Sequence, residues 1–402
     1  MLDPELEASG LGPSPFSQAL ADDWAALGAR IEQEVRGASV LVVGAAGTVG
    51  QAATRALLAL RPARLELIDI DENGLARLAR DIRSRSAAGS ATAVGFNALD
   101  FGAPAARGLL RASGPFDLVL DFAAVKHVRS EKNRFTLAHM LDVNVVRQRR
   151  FARWIAAERL ARRCFVVSTD KAADPASFMG ASKLLMEHAV FAETAAGPPT
   201  SAARFANVAF SSGSLLESYL QRFAAGQALA APRATRRHFI SAGDAARICL
   251  LAAAVCPPGA VAVPKIDPAW SATELCETAA AFLTSRGRRA VFAETAEEAA
   301  AVLAGAGADY PVLLTPRDTA GEKEVEVFRG AGESVVDLGL SALEAVRHAP
   351  VDAKRLAAAL EQLADFVAAD ETPDPEAVRR LIADLLPGFR HMEGEAALDD
   401  RV

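Results

Sequence analysis

The 402 residues carry 44 Lys+Arg against 50 Asp+Glu, a formal net charge of −6, with 51% apolar and 23% charged residues. That composition belongs to a globular chain, with length for two domains or one large α/β domain with appendages. It excludes a disordered chain and argues against nucleic acid as a main partner, because the balance is acidic.

A membrane span is not expected. The longest apolar run, residues 245–258, contains Arg247 and ends in Pro257-Pro258, short of the roughly 20 residues a spanning helix needs. The start, Met1-Leu-Asp-Pro-Glu5, has neither a basic nor an apolar leader segment. Cys164, Cys249, Cys256 and Cys276 form no C-x-x-C pair and no metal-ligand spacing with histidine. They read as reduced core residues of a cytoplasmic protein without a metal.

In chain order, residues 1–16 hold Pro4, Gly10, Gly12, Pro13 and Pro15 and read as a mobile arm. A helix is predicted from Ser17, where Leu20, Trp24, Leu27 and Ile31 recur at helical spacing, with Gly37 as its stop. Ser39-Val-Leu-Val-Val43 is an apolar run of the kind a buried parallel strand needs. Strands are then predicted at 64–70, 92–95, 118–122, 164–168 and 201–205, with helices at 51–60, 72–83, 105–112, 137–158 and 181–196. Such alternation implies a Rossmann-like, doubly wound parallel sheet. After residue 211 prolines punctuate shorter elements, and a smaller substrate-binding subdomain is expected. The Ala-rich run 294–307 and the runs 352–368 and 374–386 read as helices. The predicted organisation is an arm and lead-in helix (1–36), a dinucleotide-binding domain (37–211), a substrate subdomain (212–345) and a helical extension (346–402).

Gly44-Ala-Ala-Gly47-Thr48-Val49-Gly50 follows the first strand and opens a helix. Glycines there permit a tight turn, and the helix N-terminus can hold a pyrophosphate. About 20 residues on, the next strand ends in Asp69-Ile-Asp71, where a carboxylate would accept from ribose hydroxyls. Asp69 has no basic sequence neighbour, which favours NAD over NADP. Asn97 and Asp100, at the end of the third strand, are candidates for the adenine.

The segment Ser168-Thr-Asp-Lys-Ala-Ala-Asp-Pro-Ala-Ser-Phe-Met-Gly-Ala-Ser-Lys183 resembles the extended short-chain dehydrogenase/reductase family. Within it the chain is similar to the branch of polysaccharide-biosynthesis nucleotide-sugar 4,6-dehydratases. Further similarity runs through Phe122-Ala-Ala-Val-Lys-His-Val128, Asn144, Arg204-Phe-Ala-Asn207, Gly213-Ser214, Arg237-His-Phe-Ile240 and Gly321-Glu-Lys323. The resemblance implies oxidation of a sugar at C4 by bound NAD, loss of water across C5–C6 and return of hydride to C6. It implies Thr169 on the C4 hydroxyl, Asp170 as acid for the C6 hydroxyl, Lys171 as base at C5, and Lys183 on the nicotinamide ribose. Lys171 is expected to have its pKa lowered by partial burial and by Lys183. Gly44, Gly47, Thr48, Val49, Gly50, Asp69, Ala123 and Ala124 would line the cofactor. Lys126, His127, Met179, Asn207, Ser214 and Arg237 would meet the substrate, with Arg204 and Lys323 as further diphosphate candidates.

Met179 stands where most of the family has Tyr, as in enzymes similar to retaining UDP-N-acetylglucosamine 4,6-dehydratases. UDP-N-acetylglucosamine is therefore the expected substrate, with a 4-keto-6-deoxy sugar nucleotide as product for a surface glycan. The family's G-N-V-x-G-S-R-G-S is here Ala206-Asn-Val-Ala-Phe-Ser-Ser-Gly-Ser214, and Glu217 replaces an expected proline. These departures leave the sugar and the base open. They also keep two rivals in view: an epimerase or C4 reductase, and a catalytically lapsed nucleotide-binding member.

Residues 147–163 hold seven arginines and one acid, Glu158. Without an aromatic ladder, this run reads as a solvated or subunit-facing helix rather than a surface for RNA or lipid. A homo-oligomer is expected, since pairing through helices is usual in the resembled family.

Overall fold

The computed structural model describes residues 12, 14–85, 92–265, 270, 272–305, 307–317, 321–369, 374–386 and 388–392. Most of the predicted arm lies outside them. The first helix, Pro15–Val35, begins two residues before the predicted start, because Ser14 caps it by accepting from the Ser17 amide and Pro15 suits the first turn.

Six strands, β1 (Ser39–Val43), β2 (Arg64–Asp69), β3 (Ala93–Ala98), β4 (Leu118–Asp121), β5 (Cys164–Val167) and β6 (Thr200–Ala203), pair in parallel in the order β3-β2-β1-β4-β5-β6. This is the doubly wound order whose reversal between β1 and β4 opens a ligand crevice at the strands' carboxyl ends. β1 is apolar throughout because both its faces are covered by helices; Val40, Leu41 and Val42 are fully buried. The chain re-enters this sheet late. Val261–Pro264 adds in parallel beside β6, and Leu343–Arg347 and Ser334–Val336 add antiparallel, making nine strands.

A second, smaller layer is a parallel three-stranded sheet of Arg289–Ala293, Asp309–Thr315 and Leu229–Pro232, with its own core around Tyr219, Phe282 and Val312. The Ala-rich run forms the helix Ala296–Ala304 beside it. The predicted single helix 137–158 is instead Arg134–Leu141 and Gln148–Glu158, joined by a π-helical turn Asp142–Arg147. Asn144 explains the break. Fully buried, it accepts from the Val125 amide (2.8 Å) and donates to the Val125 carbonyl (2.9 Å) and to Ser182 Oγ (3.0 Å).

The C-terminal helices Ala353–Ala368 and Pro375–Leu385 lay Leu360, Leu363, Val378 and Ile382 onto Leu137, Met140 and Leu185. Beyond them the chain bridges two segments distant in sequence: Met392 donates its amide to the Ala176 carbonyl and accepts from the Gly321 amide, each at 2.9 Å. No helix among the described residues is long and apolar enough to cross a membrane.

Candidate active site

The loop after β1 folds as its glycines require. Gly44 has φ +73°, and a Cβ there would lie 2.7 Å from the Ala123 amide nitrogen, so the ends of β1 and β4 meet backbone to backbone. A Cβ on Gly50 would lie 2.1 Å from the Gly44 carbonyl oxygen, which closes the loop over the first turn of helix Thr48–Ala59. That helix has no side-chain cap, so its first amides are open to an anion. Asp69, at the end of β2, accepts from the Ala46 amide through Oδ2 (2.8 Å) and from the Asp71 amide through Oδ1 (2.9 Å). Each oxygen keeps a lone pair for a ribose hydroxyl.

Asn97 donates to Glu66 Oε2 (2.9 Å), and Asp100 accepts from the Gly102 amide (2.9 Å) and pairs with Arg147. Both adenine candidates are thus engaged within the chain. Under the loop, Asp121 is buried with its Oδ2 unpartnered. Burial pushes its carboxyl up to about 6, against the Ala123 amide, Gln148 and Lys183.

β5 leads into the candidate reaction centre. Beyond it Thr169 caps the single turn Asp170–Ala172. Asp170 Oδ1 accepts from Thr169 Oγ1 (2.9 Å), the Lys171 amide (2.9 Å) and Lys171 Nζ (3.1 Å). Helix Phe178–Thr194 closes over this turn, and Gly180 permits it: a Cβ there would lie 2.5 Å from the Lys171 carbonyl oxygen. One turn on, Lys183 is buried and donates to the Val167 carbonyl at 2.7 Å. Burial lowers its ammonium to about 8, opposed by Asp121 and Glu187. The Met179 side chain is buried and offers no transferable proton; its amide donates to Glu131 Oε1 at 2.7 Å.

Lys171 departs from expectation. Burial pulls its ammonium down, but Asp170 and then Glu326 outweigh burial and the nearby Arg237, so its pKa is raised. The reason is a residue that sequence reasoning missed. Glu326, 5% exposed, places Oε1 3.7 Å from Lys171 Nζ. The signal was inverted polarity: Val325 and Val327 on either side are 36% and 42% exposed while the acid points inward.

Beside this centre lies a cleft of about 870 Å³, lined by His127, Asn207, Ser214, Leu275, Arg237 and others. Four of the predicted substrate residues therefore come together; Lys126 and Met179 stand outside its wall. Lys126 reaches solvent, yet desolvation by neighbouring protein lowers its pKa against the pull of Glu217. Arg237 joins cleft to centre. It acts on the charge of Lys171 while donating to the carbonyls of Lys323 (2.9 Å) and Glu324 (3.1 Å). The altered loop is tied to the phosphate loop, the Ser212 amide donating to Thr48 Oγ1 at 3.2 Å.

Arg204 is not a phosphate ligand here. Fully buried, it pairs with Glu187 (2.6 Å) and Glu333 (2.8 Å), because a guanidinium inside the core must be matched by carboxylates. Lys323 is held by Asp174 at 2.6 Å. Four arginines of the arginine-rich run meet acids within the chain: Arg149 and Arg153 meet Glu193, Arg147 meets Asp100 and Asp142, and Arg162 meets Asp117. No metal-binding cluster occurs among the described residues.

Compared with known proteins, the polysaccharide biosynthesis protein family matches residues 40–299. An uncharacterized membrane protein of Methanocaldococcus jannaschii is 27% identical over 234 residues, 57% of this chain and 66% of that protein. The capsular polysaccharide biosynthesis protein CapD of Staphylococcus aureus is 25% identical over 274 residues, 65% of this chain and 44% of that protein. The chain thus spans less than two thirds of the length of either. Among solved structures, Pen from Bacillus thuringiensis superposes with a TM-score of 0.63 at 16% identity, over 87% of this chain and 98% of that one. The dTDP-glucose 4,6-dehydratase of Bacillus anthracis, solved with NAD, gives 0.52 at 14% identity, over 68% and 87%. These structural likenesses speak for the fold.

Proposed function

Because the chain belongs to the polysaccharide biosynthesis protein family, we propose that it is an NAD-dependent nucleotide-sugar 4,6-dehydratase acting on UDP-N-acetylglucosamine. The observation that carries the reading is the adjacent Asp170–Lys171 pair, 3.1 Å apart beyond the carboxyl end of β5, in the same sheet whose β1 carries the glycine loop. An elimination across C5–C6 needs an acid and a base on one face of the sugar, and these two groups supply them.

The glycine cradle, the open helix N-terminus and Asp69 fit a dinucleotide, and an acid at that position favours NAD over NADP. Gly44, Gly47, Thr48, Val49 and Gly50 would hold its pyrophosphate, and Ala123, Ala124 and Lys183 its nicotinamide half. Bound there, NAD supplies reversible hydride acceptance at C4. Thr169 binds the C4 hydroxyl and passes its proton to Asp170, to which it already donates. Asp170 delivers that proton to the departing C6 hydroxyl. Lys171 takes the proton from C5 and later returns it. His127, Asn207, Ser214 and Arg237 hold the nucleotide in the cleft, with Lys126 near the diphosphate.

Incubating the protein with UDP-N-acetylglucosamine is expected to lower the nucleotide-sugar mass by one water, with no net consumption of NAD. An unchanged mass, with turnover of another sugar from a UDP-, GDP- and dTDP-sugar panel, would reassign the substrate. Asp170→Asn and Lys171→Ala should each lower turnover at least about 100-fold. Solvent deuterium at C5 of the product separates elimination from a simple C4 epimerisation, which takes up none there.

A further inference from the structure

We propose that Glu326 is the proton partner of Lys171, a positioning residue that takes the resting proton of the Lys171 ammonium so that the amine can act as base. This inference rests on the dehydratase reading.

Proton counting sets the need. Oxidation at C4 releases the hydroxyl proton, and removal of C5–H releases another. Until the C6 hydroxyl departs, the protein holds both. Asp170, with Thr169 donating to it at 2.9 Å, is placed for the first. Met179, at the position where a tyrosine could carry a proton, can hold none. The second proton falls to Lys171, which sits between two buried carboxylates, Asp170 at 3.1 Å and Glu326 at 3.7 Å. In that setting Lys171 rests as an ammonium, and an ammonium is no base.

Glu326 removes the obstacle. Its Oε1 is buried, without a hydrogen-bond partner, and lies 3.7 Å from Lys171 Nζ. An unpaired buried carboxylate oxygen is costly unless it has a use. The charged groups acting on it are Lys171, Asp170, Arg237 and Lys323; burial, aided by Asp170, raises its carboxyl against the opposing charges of Lys171, Arg237 and Lys323. As the two groups close from 3.7 Å to hydrogen-bond distance, transfer breaks the N–H bond of Lys171 and forms O–H on Glu326, turning an ion pair into a neutral pair. Lys171 then takes the C5 proton. When C5 is reprotonated, the Lys171 amine recovers its first proton from Glu326. The C4 hydroxyl proton leaves in the water, so the cycle closes with every group restored.

The test follows acetylation of Lys171 by acetic anhydride against pH in the full chain, beside steady-state kinetics on UDP-N-acetylglucosamine. In Glu326→Gln, loss of one carboxylate should lower the midpoint of Lys171 reactivity by about one to three pH units. The kcat should fall about tenfold or more, with KM within about twofold. Glu326→Asp should restore part of both, and it serves as the reporter if the Gln variant does not fold by circular dichroism. An unmoved midpoint overturns the pairing; a shifted midpoint with wild-type kcat overturns the proton transfer. If the wild-type chain dehydrates no nucleotide sugar, the dehydratase reading falls, and the acetylation midpoint still decides whether Glu326 is the partner of Lys171.

Discussion

Two buried ionic residues show how differently charge is used in one core. Arg204 is a strut: its guanidinium is fully buried between Glu187 and Glu333, with His348 Nε2 2.6 Å from Glu187. Arg204→Met leaves two carboxylates uncompensated and should cost about 3–5 kcal/mol, read as a lower urea midpoint. Asp121 carries a penalty. Its folded-state pKa of about 6 lies above the ordinary value of about 3.9, so the native state holds an extra proton between them. The stability it contributes is present below about pH 4 and is lost as pH rises through about 6. Asp121→Asn should flatten that part of the urea-midpoint profile; an equally steep profile would remove Asp121 as its source. At this level Asp170, Lys171 and Lys183 were legible, because their chemistry and spacing are local. Glu326 was not, because more than 150 positions separate it from Lys171 and only folding brings the two together.

Among the elements, the strand–loop–helix from Ser39 to Ala59 is the most self-determined. An apolar strand, a glycine turn and a helix start are all written within about one βα unit. Helix Phe178–Thr194 depends on a neighbour. Its Gly180 lies against the Lys171 carbonyl, so in Gly180→Ala the new Cβ, 2.5 Å from that oxygen, must displace backbone. We expect Gly180→Ala to fold while kcat drops about 100-fold through displacement of the Asp170–Ala172 turn, checked by circular dichroism alongside kinetics. Wild-type kcat in that variant would show that the turn tolerates the shift. The π-helical turn at Asn144 escaped the periodicity of 137–158, since one inserted residue changes the helical phase while leaving apolar spacing nearly intact.

In the whole molecule the C-terminal helix pair covers an apolar face formed by helices Arg134–Leu141 and Phe178–Thr194. The chain beyond the pair reaches back to Ala176 and Gly321, and His391 lies 3.4 Å from Glu131, which holds the Met179 amide. A chain ended before residue 351 should expose Leu137, Met140 and Leu185 and self-associate, measured by size exclusion with light scattering. A monomeric truncated chain would mean the uncovered face is not association-prone. Self-association of the intact chain, expected from its helices, has to use another surface. The sequence by itself determined the order of strands and helices, the dinucleotide loop and the Asp170–Lys171 pair, because each is encoded in short-range periodicity, turn chemistry or neighbouring residues. Only the tertiary structure decided the charge on Lys171, the structural role of Arg204 and the acids that meet Arg147, Arg149, Arg153 and Arg162. Those depend on which distant carboxylates burial brings within a few ångströms, and electrostatic energy follows distance in space rather than in sequence.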